Sequence, residues 1–138
     1  MAITTAMANS FKADILAGTH VAADVYKMSL YTSTATLNAT TTAYSATNEV
    51  TGTGYTAGGK ILTGYTPNSG SGEAWIDFAD PTWTASTITA RGCMIYNSSK
   101  SNKCVAVYDF GADVTSTAAD FTPVMPVAAA GTAVIRIV

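Results

Sequence analysis

The sequence predicts a mainly β chain, an antiparallel β-sandwich or small jelly-roll-like barrel with a short N-terminal helix. Three observations lead there. Six or seven short runs alternate apolar and polar residues, with turn signals between them. No strand–helix–strand alternation and no internal repeat occurs, which sets aside a parallel α/β sheet. Several of the runs are apolar on both faces, so each needs cover on two sides. The 138 residues suit a single domain, 1–138.

The N-terminal residues 1–20 read as a helix or arm. Met7, Phe11, Ile15 and Leu16 fall on one stripe, with Thr4 or Thr5 to cap the start and Gly18 to end it. Val25 to Ser33 alternates as a first strand, and Lys60 to Tyr65 is a second, stopped by Pro67 and the turn formers Asn68 to Gly72. Glu73 to Ala79 is a third, ended by Asp80-Pro81. Thr87 to Asn97 and Lys103 to Phe110 read as a hairpin across a polar loop. Phe121 to Met125 carries Pro123 and so reads as an edge strand, and Thr132 to Val138 closes the chain. Residues 34–59 contain no clear strand. A loop that long inside a compact domain is usually functional or disordered, and Tyr44, Val50 and Tyr55 give this one anchors for ordering against something.

Composition narrows the function classes. Charged residues are 12% of the chain, against about a quarter in an average globular protein. Ala (24 residues), Thr (23) and Gly (11) dominate instead. The formal net charge of −2 gives no basic footprint for nucleic acid. No stretch approaches the length of a membrane span, and residues 1–18 lack the basic start and apolar run of a signal peptide. The chain is therefore expected to be soluble and made without export, with no nucleic-acid or membrane partner. Cys93 and Cys104 would lie opposite each other across a tight turn and apart across a longer loop. Without export, reduced thiols are the default.

Chemistry is sparse. The one histidine, His20, follows the helix and reads as a surface or capping residue. No serine sits in a nucleophile elbow, and no cysteine pair has zinc spacing. Asp77 with Asp80, and Asp109 with Asp113, supply two carboxylates each where calcium needs more, so turn capping is the plainer reading. Gly52 to Ala57 fits the loose dinucleotide fingerprint without the strand and helix that would give it meaning. No enzyme, cofactor or metal is expected. The aromatic residues are the better lead: Trp75 and Trp83 flank Asp80-Pro81, and Trp75 faces outward if Ile76 and Phe78 face the core.

A set of segments in order resembles a known family: Met7 to Lys12, Tyr26 to Thr32, Thr42 to Val50 running into Gly52 to Gly59, Asp77 to Asp80 with Trp83, Thr89 to Gly92 with Ile95 to Asn97, and Val105 to Val107 with Asp109 to Gly111. Together they are similar to small virion structural proteins of tailed bacteriophages, some of which are capsid cement, or decoration, proteins. The resemblance implies a β-rich homotrimer, made in the host cytoplasm and bound through the major capsid protein to the outer surface of the icosahedral head. It implies no catalytic residues. The contact residues expected on this reading are Tyr44, Glu49, Tyr55, Trp75 and Trp83. A tail or fibre component that binds a host receptor or glycan through exposed tryptophans is the alternative.

Overall fold

The computed structural model describes residues 2–126, 129–133 and 135–138. The chain is mainly β, with two antiparallel sheets and one short helix, in keeping with a β-sandwich. Its elements in order are β1 (Ala6–Met7), α1 (Asn9–Leu16), β2 (Tyr26–Tyr31), β3 (Lys60–Ile61), β4 (Thr66–Gly70), β5 (Glu73–Asp77), β6 (Trp83–Asn97), β7 (Lys103–Phe121) and β8 (Arg136–Ile137). The larger sheet runs β1-β7-β6-β2-β3 and the smaller β4-β5-β8.

Helix α1 ends as its sequence predicts. Gly18 adopts φ +72°, its N–H reaches the Ile15 carbonyl, and the Thr19 N–H reaches that of Asp14, so a left-handed glycine closes the last turn. The start differs. The N-cap is Ala8, without a side-chain cap, because the preceding residues are drawn into β1 against Val107 and Ala106. The Thr5 hydroxyl instead accepts the Asp109 N–H, 3.0 Å away. Phe11 is buried, but Leu16 is 91% exposed and lies off the buried stripe.

The hairpin of β6 and β7 is the spine of the molecule. Its connection spans Ser98 to Asn102, with Ser101 and Asn102 both at positive φ. This longer loop pairs Cys93 with Tyr108 and Cys104 with Tyr96, so the cysteines are not opposed and remain free thiols. Burial alone raises both thiol pKa values, that of Cys104 to about 12. Neither is expected to react with a thiol reagent in the native protein, and both should label once it is unfolded. Mass spectrometry with and without denaturant checks this.

Several strand limits move. β7 runs on from Phe110 to Phe121, past a bulge that places Phe110 to Asp113 between the Gly92–Asp109 and Ala90–Val114 pairs. Asp109 holds this bulge by accepting the Gly111 N–H and the Arg91 Nε–H, each at 2.9 Å. Residues 122–126 form no strand, and β3 is cut to two residues. Asn68 to Gly70, read with Ser71-Gly72 as a turn, instead belong to β4 with Thr66 and Pro67. The turn is Ser71-Gly72, both at positive φ, and Pro67 is tolerated because β4 is an edge. In the closing strand, β8 covers only Arg136 and Ile137, and Val134 lies outside the described residues.

The two-faced apolar strands find their cover inside the chain. Cys104 to Val107 and Gly92 to Tyr96 are buried without any neighbour. They share one core with Phe11, Leu37, Val50, Leu62, Trp83, Phe121 and Ile135, which come from the N-terminal segment, the long loop, the region after β3, the ends of the spine and the C-terminal segment. Strands that are apolar on both sides are therefore no argument for a second subunit here.

Candidate contact surface

The long segment 34–59 is an ordered loop laid against the open side of β2. Its backbone is tied at Thr32 N–H to Asn48 carbonyl (3.0 Å) and Val50 N–H to Leu30 carbonyl (2.9 Å), and Tyr31 bridges to Glu49. Gly59 allows the close approach: at φ +76°, a Cβ there would overlap the carbonyl of Met28.

Glu49 is the centre of this arrangement. It is the only charged residue among residues 34–59, and it is 8% exposed. One carboxylate oxygen accepts the Tyr44 hydroxyl at 2.7 Å. The other accepts the Tyr55 hydroxyl at 2.6 Å and the Gly58 N–H at 2.7 Å. The Tyr55 oxygen in turn accepts the Leu30 N–H (2.9 Å), which ties the loop to β2. Tyr96 donates to the Gly58 carbonyl (2.7 Å), and its ring stacks on Tyr44 at 4.8 Å. Tyr31 donates to the Ser45 carbonyl at 2.7 Å. A buried carboxylate is tolerable where directed donors replace its water, and here three do so, with no ion pair to Glu49 among the described residues. Burial and the bond to Glu49 push the Tyr44 hydroxyl up to about 12 and raise Tyr55 further, so both remain donors across the physiological range.

The two tyrosines act as the anchors that the sequence marks in this segment. Tyr44 and Tyr55 turn inward and order the loop. What the loop presents outward is Thr42, Ala43, Ser45 to Asn48, and Thr51 to Gly54, all small, neutral and exposed. Trp83 is a core residue, 1% exposed, between Tyr55 (5.8 Å between ring centroids) and Phe121 (6.3 Å). Its reading as an exposed aromatic is corrected: β6 begins at Trp83, so the ring enters the core where the strand does. Trp75 is half-buried on β5, and its indole N–H is enclosed without an acceptor among the described residues.

A second polar cluster, at the hairpin end, corrects the surface reading of His20, whose side chain is 3% exposed. Asn97, fully buried, accepts the Ser99 N–H at Oδ1 (3.0 Å) and donates from Nδ2 to Asp24 (2.8 Å). Those two bonds fix its amide, so Nδ2 also donates to His20 Nδ1, 2.9 Å away. The imidazole proton then sits on Nε2, which lies 3.4 Å from Asp14, and the ring packs on Phe11 at 4.8 Å. Lys103 pairs with Asp14 and Lys100 with Asp24. Burial lowers the His20 pKa, and the neighbouring carboxylates only partly oppose it. A histidine depressed in the folded state favours folding above its unfolded pKa of about 6.5 and loses that contribution as pH falls below it. The melting temperature should therefore drop between about pH 7 and pH 5, and His20→Asn should flatten that part of the profile. A second loss should appear under stronger acid. The Lys103 hydrogen bond holds Asp14 below its usual value against the opposing effect of burial, and the bond to the Gly111 N–H does the same for Asp109. Thermal melts across pH check both.

Among the described residues, no three His, Cys, Asp or Glu side chains converge as metal ligands. No protein-family model, curated protein or solved structure matches this chain.

Proposed function

We propose that the protein is a bacteriophage capsid cement protein, which binds the outer surface of an icosahedral head through the major capsid protein and stabilises capsomer contacts. The observation that carries this reading is the loop 34–59. It holds the longest stretch of family-like sequence, Thr42 to Gly59, and its inner side is tied down by Glu49 while its outer side is small and uncharged. A preordered surface of this kind docks at a reduced ordering cost, and many such contacts repeated by symmetry add up. Stabilisation follows by linkage, since a protein that binds only the assembled lattice raises the free energy needed to take it apart. A trimer, as the resemblance implies, would present three such loops at once. The tail or fibre alternative leaned on two exposed tryptophans, and the burial of Trp83 takes one of them away.

The experiment is to heat heads with and without the protein and follow their dissociation. A higher dissociation temperature with the protein bound is expected. An unchanged temperature at saturating protein contradicts the reading.

A further inference from the structure

The outer edge of β7 is open beyond Asp109. β1 covers only Ala106 and Val107, and no other strand among the described residues pairs on that side. The register shows which backbone groups are left over. Thr87 donates its N–H to the Thr53 carbonyl, on the side of β6 away from β7, and strand alternation points Thr89 the same way. Thr115, which is paired with Thr89, therefore turns its own N–H and C=O away from β6 into solvent. The regular part of this edge is short, Val114 to Thr117. It is bounded by the Phe110–Asp113 bulge and by a second register shift beside Ala118, at φ +47°.

Two further observations lie on the same edge. A cavity of about 340 Å³ opens beside it, lined by Tyr108, Phe110, Val114, Phe121 and Val124, and Val124 is 80% exposed. Asp113 and Asp120 stand at the two ends, and neither forms an ion pair among the described residues. An unpaired edge supplies main-chain affinity, and a pocket beside it reads alternate side chains of an added strand. The charges argue against a second copy of this chain. Antiparallel pairing of two β7 edges about a two-fold axis brings Asp113 of one copy within about two residues of Asp120 of the other, where like charges repel.

We propose that the Val114–Thr117 edge, with its aromatic pocket, accepts an extended segment of the shell protein as an added strand, an apolar side chain entering the pocket and Lys or Arg facing Asp113 and Asp120. This rests on the capsid-binding reading and names the part of the partner that it engages. The edge is continuous with the loop surface, because Thr53 bridges to Thr87 on one side of β6 and the Thr89 hydroxyl meets that of Thr115 at 2.9 Å on the other.

The test has two arms. In the first, the full chain is titrated with the blocked peptide acetyl-Lys-Thr-Val-Thr-Leu-Thr-Lys-amide and followed by NMR. Shifts are expected at the Thr115 and Thr117 amides and the Phe110 and Phe121 rings. Thr115→Pro, which removes an outward donor, should abolish them. Asp113 is exposed, and Asp113→Lys should weaken binding about fivefold, an effect that salt reduces. A glutamate-ended peptide should reverse that order. No shifts at millimolar peptide, or equal binding of the two peptides, overturns the proposal. In the second arm the same variants are bound to shells. Shell binding that neither variant weakens overturns the edge and spares the cement reading. Peptide binding with no shell binding overturns the shell protein as the partner, and the cement reading with it.

Discussion

Trp83→Ala is expected to cost about 3–5 kcal/mol, the range for removing a large aromatic ring from a packed core. The ring is almost fully buried and stands between Tyr55 and Phe121. Phe121 continues to Phe110, and Phe110 to Tyr108, so one substitution opens a row of tilted and edge-on rings. The effect should not remain local. Tyr55 carries the hydroxyl that joins Glu49 to the Leu30 N–H, so a collapse of Tyr55 toward the vacated volume loosens the loop. The melting temperature should fall by about 10–15 °C. A drop of only a few degrees would mean that Trp83 is not a core residue. Calorimetry checks it.

Glu49→Ala is the second large effect. It leaves the Tyr44 hydroxyl and the Gly58 N–H without an acceptor and removes the acceptor of the Tyr55 hydroxyl. Buried groups left unpaired cost about 1–3 kcal/mol each, and water entering the loop recovers part, so a loss of about 3 kcal/mol is expected. Glu49→Gln keeps one acceptor oxygen but turns an amide N–H₂ on a donor, so it should lie between Ala and wild type. The signature is regional. Amide exchange at Leu30 and Gly58 should speed up more than exchange in the β6–β7 hairpin, which does not depend on Glu49. Uniform acceleration across the chain would show that the carboxylate supports the whole fold rather than the loop.

Much of the architecture was legible because period-two alternation reports directly on burial. β2 falls where its pattern lies, Thr87 to Asn97 and Lys103 to Phe110 lie within the longer β6 and β7, and Gly18 ends the helix as a left-handed residue must. The misreadings share a physical origin in context. Asn68, Ser69 and Gly70 are turn formers, yet they pair as β4 because an edge strand tolerates them and Ser71-Gly72 makes the tighter turn. Beyond Phe110, the glycine and small residues hide a strand whose pairing is set by β6 rather than by its own side chains.

The site was half visible. The sequence marks 34–59 as a segment with aromatic anchors, and the something they anchor to is the protein's own sheet. The missed residue role is that of Glu49, and its signal was present: a single charge in a run of 26 residues, with a tyrosine five positions before it and another six after. A lone acid amid neutral, tyrosine-bearing sequence has little reason to be there unless something binds it. His20 escaped for a different reason, since its partners Asp14, Asp24 and Asn97 are gathered only by the tertiary fold.

The two elements that face outward together are the neutral side of the loop and the β6–β7 ribbon beside it, joined at Thr53 and Thr87. The tyrosines and Trp83 hold that surface in shape from beneath. The most direct test of this account is an electron cryomicroscopy map of the phage particle that carries the chain. The account predicts density on the outer face of the head, at a copy number approaching that of the major capsid protein, with residues 42–54 and the β7 edge turned toward the shell. Density confined to the tail, or a head-bound subunit with this loop facing solvent, would contradict it.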